Sequence, residues 1–93
     1  MLNKEEIERL EKMLAEGKVD AVLKATTLLL HEHEEDDRIY YIRGKAFMRK
    51  SCWADATNCF LQAESINPDS PAGESRKMIA DIMNFYNKDL YNP

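Results

Sequence analysis

Three sets of residues in this chain have types and spacings suited to chemistry. His31 and His33 flank Glu32 and lead into Glu34, Glu35, Asp36 and Asp37, the imidazoles and carboxylates from which metal sites are built. On a helix, residues two apart project about 200° from each other, so the two imidazoles cannot share an ion there. The segment reads instead as an acidic helix end and turn, and no metal site is expected. Cys52 and Cys59 stand at or near one helix. Their separation corresponds to about 10.5 Å of helical rise, too far for a disulfide, so they read as two small buried or half-buried thiols. The third set is Arg38, Lys45 and Arg49, with Tyr41, Ile42 and Met48 among them. At about 100° per residue, Arg38, Ile42, Lys45 and Arg49 fall within about 60° of each other, with Tyr41 beside them. Such a face suits an extended peptide carrying carboxylates, which arginine holds in bidentate fashion. The bland alternative is pairing of the same cations with Glu8 and Glu11 on a neighbouring helix.

Nothing else in the chain suggests catalysis. It lacks a glycine-rich phosphate loop, a nucleophile motif and a carboxylate pair with an obvious pocket, so neither an enzyme nor a cofactor is expected. The 93 residues are enough for one small domain, and 44% hydrophobic with 32% charged residues is a folded composition. Leu, Ala, Glu, Lys, Met and Arg are plentiful, which favours helix. A net charge of −4 argues against a generic nucleic-acid binder. The charge is uneven: residues 1–36 carry five Lys or Arg against ten Asp or Glu, and residues 37–93 carry eight against seven. No apolar run reaches the length of about 18 residues that a membrane span needs. The start turns acidic where a signal peptide would turn apolar, so a cytoplasmic protein is expected.

The elements that must position these residues follow from the breaks. These fall at Gly17-Lys18, Glu34-Glu35-Asp36-Asp37, Ser51-Cys52 and Asn67-Pro68-Asp69-Ser70-Pro71. They predict five helices over about 4–15, 19–33, 37–50, 53–66 and 72–86, joined by short connections that make neighbours antiparallel. Asn3 with Glu6 has the form of a capping box, and Ser70-Pro71 suits a helix start. Ile7, Leu10 and Leu14 give the first helix its stripe; Val19, Val22, Leu23, Thr26, Leu29 and Leu30 give the second. The third is expected to turn Tyr40, Gly44 and Phe47 inward, and the fourth Trp53, Ala56, Phe60 and Ala63. The fifth presents Met78, Ile79, Ile82, Met83 and Tyr86 as one apolar face. An offset of 34 residues lays Gly17 on Ser51, Val19 on Trp53, Val22 on Ala56 and Leu29 on Ala63, so the first two helices read as a degenerate copy of the next two.

Tyr40, Arg43, Gly44, Phe47, Ala56, Phe60, Ala63 and Pro68, in this order and spacing, resemble one tetratricopeptide repeat, a helix–turn–helix unit of about 34 residues. Arg43 stands where the family usually has Leu, and Ser51 where a turn Gly is common. The resemblance implies an all-α fold: a tetratricopeptide-like stack of two antiparallel helical hairpins plus a C-terminal capping helix, wound as a right-handed superhelix. It also implies a non-catalytic module whose concave groove, lined by the first helix of each hairpin, holds a protein or peptide partner. On this chain the groove residues are Arg38, Tyr41, Ile42, Lys45, Met48 and Arg49. The Lys/Asn/Arg set with which some members grip chaperone C-termini is not matched, so chaperone binding is not expected. Either a monomer or a homodimer, closed through the groove or the aromatic tail at 84–93, is compatible with this reading.

Overall fold

A computed structural model describes the backbone of residues 2–91 and the side chains through residue 85. Five helices follow one another: α1 (Lys4–Ala15), α2 (Val19–Leu30), α3 (Asp37–Arg49), α4 (Trp53–Ile66) and α5 (Ala72–Tyr91). There is no strand among the described residues. The fold is all-α, with each helix packed on the next and α1 also touching α3. The stack measures 49 × 28 × 18 Å.

Local chemistry sets the ends. Asn3 Oδ1 accepts from the Glu6 N–H at 2.9 Å, capping α1. The Ser70 hydroxyl accepts from the Ala72 N–H at 3.2 Å at the start of α5. α1 and α3 end in the same way. After α1, Gly17 has φ +82, its N–H reaches Leu14 O at 3.0 Å, and the Lys18 N–H reaches Met13 O at 3.0 Å. After α3, Ser51 has φ 58, its N–H reaches Met48 O at 2.9 Å, and the Cys52 N–H reaches Phe47 O at 2.9 Å. These are two Schellman caps at equivalent places of the 34-residue offset. The second forces a serine into the left-handed region, where a Cβ is unfavourable. Ser51→Gly is therefore expected to stabilise the chain by about 1 kcal/mol in urea unfolding, with an unchanged m-value.

α2 stops at Leu30, short of the expected 33. The Glu32 and His33 N–H groups both donate to Leu29 O, at 3.2 and 2.9 Å, and the backbone turns out. Four acids at 32 and 34–36 disfavour extension, because a helix C-terminus carries partial negative charge.

Two apolar clusters lie on either side of α3. One joins Leu2, Ile7, Leu10, Leu14, Val22, Ile39, Ile42 and Ala46. The other joins Ala56, Phe60, Ala63, Ala72 and Ile79, with Tyr40, Tyr41, Phe47 and Met83 packed against it. As the middle helix, α3 therefore buries two faces. The 40/44/47 face meets Phe60, and the 39/42/46 face meets α1 and α2. Only the first was expected from the sequence. Ile42, expected in the groove, is 1% exposed and belongs to the core.

Arg43, where a tetratricopeptide repeat usually has Leu, makes contacts that a leucine could not. Its Nη1 donates across to α2, to Leu23 O at 2.8 Å, Thr26 Oγ1 at 2.9 Å and Thr27 Oγ1 at 2.7 Å. Its guanidinium lies 5.1 Å from the centroid of the Phe47 ring. A leucine would fill the same space but would leave the fully buried Thr26 hydroxyl without this donor. On the far side, Arg76 grips Glu64 through two hydrogen bonds of 2.7 and 3.2 Å, joining α4 to α5 and holding the Glu64 carboxyl below its ordinary range.

Candidate functional site

The arc of α3 left open by its two buried faces is narrow. It carries Lys45 and Arg49, with Tyr41 and Met48 half-buried at its edge against the second cluster, and these four face Ser75 and Met78 on α5 across a shallow hollow of ≈ 460 Å³. The structure thus brings together four of the six residues expected there and removes two. Ile42 points into the core, as described above. Arg38 turns back toward the start of its own helix. Its Nε and Nη2 donate to Asp36 Oδ1 and Oδ2 at 3.0 and 2.8 Å, and Nη2 also donates to Leu2 O. The Leu2 N–H completes the arrangement by donating to Asp36 Oδ2 at 3.1 Å.

This cluster is a fastening. Burial pushes the Asp36 carboxyl up, but the Arg38 guanidinium and the backbone N–H groups of Arg38 and Leu2 overcome that and hold it below its ordinary value. The Asp36 side chain is 0% exposed and also caps α3 through the Arg38 N–H at 3.1 Å. The sequence reads this stretch as an acidic helix end and turn, and nothing in it points to Leu2 as a partner of Asp36.

The two cations left in the hollow have a different environment. Lys45 Nζ sits 4.7 Å from the centroid of the Tyr41 ring, and Arg49 is exposed. No described carboxylate, Glu8 and Glu11 included, lies within ion-pair distance of either. By contrast, Lys50 is taken up by Asp20 at 2.7 Å. Among the described residues the positive charge of the hollow therefore has no carboxylate partner. Its floor is apolar: Met48 is half-buried and Met78 is 47% exposed.

Met78 was expected in the core face of α5. The structure instead divides that face. Ile79 is buried, Met83 packs against the second cluster, and Met78 stays outside. Ile82 and Phe85 flank a second hollow with Trp53 and Asp81. The expected contribution of Tyr86 and of the tail beyond it lies outside the described side chains. Ser75 and Phe85 carried no groove signal in the sequence, because only the packing of α5 on α4 decides which side of it faces α3.

The remaining chemical residues stay apart. Cys52 and Cys59 are free thiols, and burial pushes the Cys59 thiol up against the opposing pull of Arg43, away from a reactive thiolate. The described residues hold no group of three metal-capable side chains. No described helix is long and apolar enough to cross a membrane.

The solution NMR structure of the Bacteroides fragilis protein BF1650 is similar to this chain, with a TM-score of 0.83 and 35% sequence identity over 98% of this chain and 91% of that one. No family model matches the chain, nor does any curated protein. At that identity and over that span the likeness extends to the sequence as well as the architecture, and the chain belongs to the same family as BF1650.

Proposed function

We propose that this chain is a tetratricopeptide-like, non-catalytic interaction module that holds a protein or peptide partner between α3 and α5. One observation carries the reading: in the hollow, Lys45 and Arg49 lack carboxylate partners among the described residues while Met48 and Met78 keep apolar surface open beside them. A carboxylate-bearing segment with an apolar residue satisfies both features. The shallow, unenclosed shape suits a chain rather than a small molecule. A cytoplasmic setting fits the two unpaired cysteines.

Charge reversal tests this. Lys45→Glu with Arg49→Glu is expected to weaken capture of a partner from lysate by about tenfold or more, while far-ultraviolet circular dichroism and urea midpoint stay close to those of the parent. Unchanged capture by the double variant overturns the assignment of this face.

A further inference from the structure

A further hollow, of ≈ 300 Å³, opens between α1 and α2. Leu10, Met13 and Leu29 give it an apolar lining, and Glu6 and Arg9 border it. Leu28 borders it too and is 62% exposed. Neither the Glu6 nor the Arg9 side chain has an ion-pair partner among the described residues. The hollow exists because the first hairpin lacks what fills the second. At the 34-residue offset, Tyr40, Phe47 and Phe60 fall on Glu6, Met13 and Thr26. The rings that pack between α3 and α4 thus have no counterpart at these positions of α1 and α2.

The same offset argues against one more unit of the row as the occupant. Ile39, Ile42 and Ala46 of α3 are buried under the first hairpin. The equivalent positions of α1 are Glu5, Glu8 and Lys12, all exposed. A preceding hairpin placed there would bury three charges, so α1 has the polar outer face of a terminal unit.

From these features we infer that the α1–α2 face binds the same face of a second copy as a two-fold dimer. The patch is complementary to itself. It carries an exposed leucine and an apolar hollow, and an acid and a base three residues apart on α1. In an isologous pair residue i meets j and j meets i. With the two α1 helices antiparallel, Glu6 of each copy faces Arg9 of the other, and Leu28 of each enters the hollow of the other. Every group left unmatched on one chain is then matched twice. The face is made of two twelve-residue helices, which is small for an interface, so dissociation in the micromolar range is expected. This hollow shares no lining residue with the one between α3 and α5, so the dimer presents two of the latter and gains avidity for a bivalent partner. The inference goes beyond the peptide role proposed above and does not depend on it.

Sedimentation velocity and light scattering of the full chain in about 0.15 M salt, from about 10 μM to about 1 mM, test it. The mass is expected to rise from one chain toward two and no further. Leu28→Asp is expected to weaken association by about tenfold or more. Glu6→Arg and Arg9→Glu are each expected to do the same, because each sets like charges opposite one another. An equimolar mixture of these two variants is expected to recover a heterodimer, and both changes in one chain to recover the homodimer. The three side chains are exposed or half-buried, and circular dichroism confirms that each variant folds.

A chain that stays monomeric up to about 1 mM overturns the inference. A dimer that neither Leu28→Asp nor the charge variants weaken also overturns it, because another face then closes the dimer. A mass that climbs past two copies overturns the two-fold arrangement, and a mixture that fails to recover overturns the pairing of Glu6 with Arg9. The lysate-capture experiment reads Lys45 and Arg49, so its failure leaves the dimer standing, and loss of the dimer leaves the peptide role standing.

Discussion

Phe60→Ala is expected to cost about 3–5 kcal/mol, a large share of the 5–14 kcal/mol on the order of which a chain of this length is stable. The ring is 0% exposed and fills the space between α3 and α4, with Tyr41 at a centroid distance of 5.9 Å. The ring occupies the space that a side chain at Gly44 would need. A Cβ built there lies within 2.9 Å of three atoms of the Phe60 ring. A rigid, enclosed ring cannot swing aside, so Gly44→Ala must separate the two helices. Intrinsic propensity alone favours alanine in a helix by about 1 kcal/mol, which makes the sign of this result informative. Net destabilisation of about 1–3 kcal/mol is expected in urea unfolding. The two substitutions are not independent. In the Phe60→Ala background the added methyl enters the vacated space, so Gly44→Ala there is expected to be neutral or stabilising, with a coupling of about 1 kcal/mol or more. Additive costs would mean that the ring and the glycine do not set the helix spacing together.

Asp36→Ala is the second large effect. It removes the cap of α3, the acceptor of the Leu2 N–H and the partner of Arg38 in one step. Losing a cap costs about 1 kcal/mol, and an orphaned buried donor about 1–3 kcal/mol. Arg38 adds less than a fully buried cation would, because its side chain is 36% exposed and can turn into water. A total of about 2–4 kcal/mol is expected, concentrated where α1 meets the rest of the stack. Hydrogen exchange is expected to show faster exchange in α1 than in α4. The pH dependence has a fixed sign. The folded carboxyl titrates below its unfolded value, so its stabilisation is present above the unfolded aspartate pKa of about 3.9 and is lost as pH falls through the folded one. The gap between the parent and Asp36→Asn is expected to be constant near neutrality and to shrink below about pH 4. A gap that grows on acidification would contradict the arrangement around Asp36.

The candidate site was legible in part. Tyr41, Lys45, Met48 and Arg49 could be placed on one face because they are four positions on one regular helix. Arg38 and Ile42 were placed with them by the same rule and do not belong there. Angular position shows which residues share a side of a helix, not how many sides its neighbours cover. α3 is covered on two, so its free arc is narrower than the sequence pattern suggested. Arg38 lies in the first turn, where Asp36 competes for it before any ligand does.

Sequence alone determined the five helices and most of their ends, since caps, glycine and proline act over a few residues. It also marked the 34-residue offset, which reappears as matched caps at Gly17 and Ser51. Tertiary structure decided which polar side chains were consumed as fastenings: Asp36 and Arg38 on Leu2, Arg43 on Thr26, and Arg76 on Glu64. It also decided which side of α5 stayed open. These contacts join residues far apart in the chain, and helical periodicity is blind to partners that only packing brings within hydrogen-bond distance.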